Sequence, residues 1–213
     1  MNITIEIDLR EKLAPARDQR QRPTCLVFAA SAAHEFKRGP GEVLSPEYLF
    51  YSGAQRAHKS PDKGLTANIV REALQLDGQP GEEAWPYLDA TPPASEWKMP
   101  TISAPIHKAS LDFASRTVAD VRTLLKSGVP VLLVISLTKP MYTPDRFAVV
   151  RAAPNDGVVL ARHAVLAVGS GFADDGGYLL VRNSWGLRWG QAGHAWLHDS
   201  YLEARLEITG TIA

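Results

Sequence analysis

Apolar residues change their spacing about half way along the 213-residue chain, from helical intervals to short extended runs. From Cys25 to Lys37 the residues are mostly Ala, Leu, Val, Phe and Glu, which predicts a helix that Gly39-Pro40 stops. Pro23 suits its first turn, because the missing N–H would have had no partner there. Leu44 to Tyr51 opens a short helix with Ser45 as N-cap and Pro46 at the first helical position. Residues 53–64 are polar, contain Pro61 and Gly64, and read as a loop. Thr66 then caps a helix through Asp77, with Ile69, Val70, Ala73, Leu74 and Leu76 on its apolar face and Gly78 at its end. Gln79 to Pro105 lacks periodicity, and Trp85-Pro86-Tyr87 within it reads as a satellite core. Thr117 with Asp120 resembles an acidic capping box opening a helix through Lys126 that ends at Gly128.

The second half reads as strands. Val129 to Leu137, Phe147 to Arg151, Val158 to Val168, Tyr178 to Val181 and His194 to Leu197 are rich in Val, Leu and aromatic residues. Turn sequences at Asn155-Asp156-Gly157 and Asp174-Asp175-Gly176-Gly177 suggest hairpins, hence an antiparallel sheet or barrel. A helical lobe followed by a strand-rich lobe is an α+β arrangement, and a cleft forms naturally between two such lobes.

Charge and composition narrow the function classes. Lys+Arg and Asp+Glu each total 23, so no basic excess is available to hold a phosphate backbone, which argues against nucleic acid as a partner. The longest apolar stretch, Val129 to Leu137, is far too short to span a bilayer and contains Pro130, so no membrane partner is expected. Met1 to Asp8 alternates like a strand and lacks the charged and apolar regions of a signal peptide. A single cysteine leaves no internal disulfide. Together these features lead us to expect a cytoplasmic protein.

That cysteine is also the candidate nucleophile. Cys25 lies where a polar loop meets the first turn of a helix, where unpaired N–H groups and the positive dipole end favour a thiolate. Alone, it reads equally as a small core residue. A nucleophilic cysteine needs a base, and the base needs an orienting partner. Of the six histidines, His34 lies nine residues along the same helix, about half a turn away in rotation. His58 and His107 fall in polar, loop-like stretches and read as solvated. His194 and His198 border a strand without a nearby orienting group. His163 opens the apolar run to Gly169, where an imidazole is costly without a partner, and Asn183-Ser184-Trp185-Gly186 ends the next strand. Antiparallel pairing would set His163 beside Asn183, with Trp185 shielding the bond from water. Taken singly His163 could be a satisfied core histidine; together with Cys25 and Asn183 it suggests a catalytic set.

In that order, with His163 standing 138 positions after Cys25, the three residues resemble the papain-like (clan CA, C1) cysteine peptidases, here an intracellular bacterial-type member. Gln19 matches the family's oxyanion-donating glutamine, and Phe28-Ala29 continues its helix. His163-Ala164-Val165 with Val168-Gly169 matches the segment around the general base, and Asn183-Ser184-Trp185-Gly186, Trp189-Gly190 and Gly193 match the pattern that closes the site. Gly64 corresponds loosely to the glycine that pairs with extended substrate. The resemblance implies the papain-like two-lobe fold, with a helical lobe at 18–105, a β-rich lobe at 106–213, and strand 1–10 packed on the latter. It also implies peptide-bond hydrolysis without metal or cofactor, with Cys25, His163, Asn183 and Gln19 catalytic and Gly64 and Trp185 contacting protein or peptide substrate.

Departures from the pattern carry expectations too. Arg22 stands where the family has a disulfide cysteine, Pro23 and Thr24 replace small residues, and Leu26 replaces an aromatic. Cys25 follows Met1 so closely that no propeptide of the family's kind fits between them. The resemblance therefore implies control by narrow specificity or by a regulatory partner protein. Two other readings accompany the peptidase: a ligase, transglutaminase-like enzyme or deamidase using the same thiolate, and a pseudo-protease that only binds extended peptides.

Overall fold

Helix α1 (Cys25–Arg38) is buried from Leu26 to Glu35 and carries both lobes. In the computed structural model, which describes residues 2–153 and 157–213, α1 packs against helices α2 (Pro46–Arg56) and α3 (Ala67–Leu76) on one side. On the other it meets strands β3 (Val131–Leu137) and β5 (Ala161–Ala173). Ser45 caps α2 by accepting the Tyr48 N–H at 3.0 Å. α2 extends to Arg56 instead of yielding to a loop at residue 53, because Gly53 and Ala54 are buried and Gly53 lies against Leu65 and Ile69 of the next segment. In α3 the residues Val70, Ala73 and Leu74 are buried, whereas Leu76 is 51% exposed and the Thr66 side chain makes no capping bond. Trp85 and Trp97 are not a satellite: with Phe50 and Tyr51 of α2 they form an aromatic cluster continuous with the main core.

The remaining strands are β1 (Thr4–Asp8), β2 (Leu111–Ala114), β4 (Val149–Val150), β6 (Gly176–Arg182), β7 (His194–His198) and β8 (Leu206–Ile212). They join β3 and β5 in one sheet of order β2-β8-β3-β5-β6-β7-β4, with β1 added on β5. Every pair is antiparallel except β4 with β7. The long strand β5 pairs with β3 through Ala161–Ala167 and with β1 through Gly169–Phe172. Glycines make room for β1: a Cβ on Gly169 would stand 2.5 Å from the Ile7 carbonyl oxygen, and one on Gly171 2.6 Å from that of Thr4. Helix α4 (Val118–Lys126) has the expected capping box from Thr117 and Asp120. α5 (Lys139–Tyr142) and α6 (Asp199–Arg205) are short. Among the described residues, no helix is long and apolar enough to cross a membrane.

Several strand limits differ from the sequence pattern. β5 begins at Ala161 and runs to Ala173, leaving Val158, Val159 and Leu160 exposed ahead of it. Only Val149 and Val150 of the 147–151 run pair. The turn at Asp174 and Asp175 is present between β5 and β6, whereas the turn expected at Asn155-Asp156-Gly157 falls largely outside the described residues.

Gly190, between β6 and β7, has φ +57°, and a Cβ there would stand 2.1 Å from the His194 carbonyl oxygen. Gly128 also has a left-handed φ, +77°, but with open space around it. Gly190→Ala should therefore destabilise by about 3 kcal/mol and Gly128→Ala by about 1 kcal/mol. Equal losses in denaturant titrations would contradict this account.

Candidate active site

A cleft of about 600 Å³ opens between the lobes, walled on one side by residues 19–23, Cys25, Leu26 and 64–67. The other wall is formed by Val134, Leu137, 161–164, Trp185 and Ile208. Cys25 begins α1 and keeps part of its surface open. His163 projects from β5, where it pairs with Ile135 of β3. Asn183 follows the last residue of β6. The register places Arg182 opposite Leu166, so continuing it sets Asn183 opposite Val165, diagonal to His163 and not beside it. The side chains still meet, with His163 Nε2 and Asn183 Oδ1 2.6 Å apart.

Hydrogen bonds settle which atom donates. The Ser184 backbone N–H, which can only donate, meets Asn183 Oδ1 at 2.8 Å, so that atom is the amide oxygen and His163 Nε2 must carry the proton. His163 Nδ1 is left as the ring's free lone pair. Trp185 covers the pair, its ring 4.6 Å from the imidazole, and Tyr142 stacks on Trp185 at 5.2 Å. Burial pushes the imidazole pKa down to about 4, against the Asn183 bond that raises it. Burial likewise pushes the Cys25 thiol above its ordinary value of 9.0, opposed by the backbone N–H groups of Ala164, Leu26 and Cys25. Each group taken alone is thus driven to its neutral form. The sequence favoured a thiolate from the helix terminus; burial is the larger effect. Among the described residues the thiol makes no hydrogen bond to the ring, and in a free enzyme such contacts often tighten only with substrate.

Gln19 is 7% exposed and anchored through its backbone and both ends of its side-chain amide. Its backbone N–H donates to the Ser184 carbonyl at 2.8 Å, its Oε1 accepts from the Ser184 hydroxyl at 2.6 Å, and its Nε2 donates to the Arg22 carbonyl at 2.7 Å. One amide N–H remains free. Gly64 lines the cleft, and its carbonyl accepts from the Lys59 ammonium at 2.6 Å, which leaves that oxygen a second lone pair. No group of three His, Cys, Asp or Glu side chains among the described residues could hold a metal.

His58 is exposed, as its polar context suggests, whereas the remaining histidines are more engaged than theirs suggest. His34 is buried and bonded to Gln79. His107 is half-buried, its backbone exchanging two hydrogen bonds with Gln79. His198 accepts the Ser200 N–H and donates to the Asp175 carbonyl. Sequence reasoning missed Ser184 as the residue fixing Gln19 and Tyr87 as a neighbour of the nucleophile loop. Nothing in their local patterns marks contacts across 165 or 68 positions.

A helix-mounted cysteine facing an Asn-oriented histidine across the seam of an α+β two-lobe fold defines the papain-like class. The chain belongs to the papain family of cysteine proteases, whose family model matches residues 3–209. It is 24% identical over 196 residues to cysteine proteinase 3 of Entamoeba histolytica, covering 88% of this chain and 60% of that protein. With cathepsin K of Gallus gallus it shares 27% identity over 205 residues, covering 90% and 58%. The crystal structure of xylellain, a cysteine protease from Xylella fastidiosa, aligns with TM-score 0.82 and 22% identity, covering 99% of this chain and 86% of that one. The chain thus spans about 60% of the length of the curated relatives it matches. These relatives lend no support to the ligase, deamidase or pseudo-protease readings.

His194 offers a test of how burial acts on titration. Its Nδ1–H donates to the Ala192 carbonyl. Burial holds its pKa at about 4 against an ordinary 6.5; Arg182 and Arg10 lower it, while Ala192 and Asp8 raise it. Between pH 6.5 and 4 the unfolded chain therefore binds a proton that the folded chain does not. The stability this group contributes is complete above pH 6.5 and is lost toward pH 4, by up to about 3 kcal/mol. Denaturant titrations at pH 7 and 4.5 should show a smaller acid loss for His194→Gln than for the parent; equal losses would assign the effect to other groups.

Proposed function

We propose that this protein is a cysteine peptidase cleaving extended peptides. The observation that carries the reading is the double hydrogen bond at Asn183 Oδ1, which fixes the His163 tautomer and leaves Nδ1 as a base in the cleft that holds Cys25. His163 Nδ1 takes the thiol proton, and the resulting thiolate attacks the substrate carbonyl carbon. The Coulomb attraction of thiolate and imidazolium in a partly dry cleft offsets the preference of each group for neutrality. The oxyanion is held by the Cys25 backbone N–H and the free Gln19 N–H. The C–N bond breaks as imidazolium returns its proton to the leaving amine, and water then hydrolyses the thioester through the same base. Asn183 keeps the ring oriented and Trp185 keeps water from it.

Leu26, Leu65, Val134, Leu137 and Ile208 give the cleft an apolar pocket, which supports preference for an apolar substrate side chain beside the scissile bond. The Gly64 backbone in the cleft wall supports hydrogen bonding to that extended chain. A lone free cysteine, with an ion pair at Arg22 where the family has a disulfide cysteine, supports residence in the reducing cytoplasm.

Cys25→Ala should abolish peptide hydrolysis, and Gln19→Ala should lower kcat by about 10²–10³. An epoxysuccinyl probe at pH 6, read by intact mass, should label the parent but not His163→Ala, where burial leaves the thiol protonated. A Cys25→Ala protein as active as the parent would end the assignment.

A further inference from the structure

Two groups beside the nucleophile, one wholly buried and one half-buried, have no part in this chemistry. The first is the ion pair of Arg22 and Glu47, both side chains wholly buried. The Arg22 guanidinium makes two bonds to the Glu47 carboxylate and a third to the Leu88 carbonyl at 2.9 Å. It lies over the rings of Tyr87, at 4.8 Å, and Phe50, at 5.4 Å. Glu47 is completed by the Trp97 indole N–H at 2.7 Å and the Leu88 N–H at 3.2 Å. The second group is the Tyr87 hydroxyl. It donates to the Gln19 backbone carbonyl at 2.8 Å, so Thr24 Oγ1, 2.7 Å away, is the donor to it. One phenol oxygen therefore spans both ends of the turn from Gln19 to Thr24.

This turn decides where the Gln19 amide points. The Arg22 carbonyl accepts both Gln19 Nε2–H and the Thr24 N–H, at 2.7 and 2.9 Å. With Gln19 Oε1 tied to Ser184, the remaining N–H can point only where that carbonyl allows. The carbonyl is in turn placed by the anchored Arg22 guanidinium and by the Tyr87 span. We propose that Tyr87 and the Arg22–Glu47 pair are positioning residues for the oxyanion donor, holding the Gln19–Thr24 turn so that the second Gln19 N–H faces the developing negative charge. The proposal rests on the peptidase reading above, with Gln19 as donor.

Tyr87→Phe tests it with little risk to folding, because the ring keeps its edge contact with Phe28 at 4.7 Å and its place under Arg22. Turnover of a fluorogenic peptide amide would be compared for the parent, Tyr87→Phe, Gln19→Ala and the double variant. Tyr87→Phe should lower kcat about tenfold in the parent, with KM within about twofold, as small misplacements of a catalytic group do. In the Gln19→Ala background it should change kcat less than about twofold, since the donor it positions is gone. Arg22→Met with Glu47→Met, which removes both buried charges together, should show the same dependence on Gln19. An equal kcat loss in both backgrounds, a change in KM alone, or no loss in the parent would each overturn the proposal. If Gln19→Ala itself left kcat unchanged while Cys25→Ala abolished it, the fault would lie in the donor assignment beneath the proposal.

Discussion

The geometry of the site depends on a short pairing between two segments far apart in the chain. Gln19 N–H donates to the Ser184 carbonyl, and Gly186 N–H donates to the Arg17 carbonyl, at 2.8 and 3.2 Å. Asp18 and Trp185 form the bridge between these bonds. The strip leads toward Cys25 in one direction and follows Asn183 in the other. Backbone bonds have little freedom, so two of them fix the oxyanion loop relative to the histidine's partner more tightly than side-chain packing alone. Ser184 adds a side-chain bond at the same place. The cleft is therefore assembled by backbone pairing and lined by side chains.

Charge inside the helical lobe follows the same economy of partners. Arg17 reaches Glu35 at 2.7 Å and Glu82 at 3.2 Å, while Arg22 holds Glu47. Gln79 ties α1, through Ser31 and His34, to the start of α2, through the Ser45 carbonyl. Buried ion pairs add little net stability over apolar packing, but removing one partner is costly. Their effect here is to admit one arrangement of the loops around α1. Glu35 shows the strain of this solution: burial raises its pKa against the pull of Arg17, and its second oxygen has no partner among the described residues.

Local signals in the chain predicted the elements that depend on them. The α1 run, the Ser45 cap, the Thr117–Asp120 box and the β5–β6 turn all rest on neighbours within a few positions, and each is present. β2 and β8 were not legible, because Leu111–Ala114 and Leu206–Ile212 carry mixed polarity and become strands by pairing with one another and with β3. α2 outran its expected end because Gly53, a residue that weakens isolated helices, is needed for close packing on α3. At the site, Cys25, His163 and Asn183 could be singled out by chemistry and spacing. Arg22 stood out only as an oddity until Glu47 was found beside it. Tyr87 could not be read, since an aromatic in a proline-rich stretch looks the same whether it fills space or bridges two ends of a turn.

The close seat of β1 on Gly169 and Gly171 has a topological consequence. The polypeptide starts its described path on the sheet, crosses to build the helical half, and crosses back before β2. The halves are thus interlaced by two tethers instead of being strung in sequence. Wide separation of the halves would also have to break the backbone pairing of residues 17–19 with 184–186, next to the histidine's partner. Access for a bulky polypeptide should then come from movement of the rims, with the seam itself staying shut.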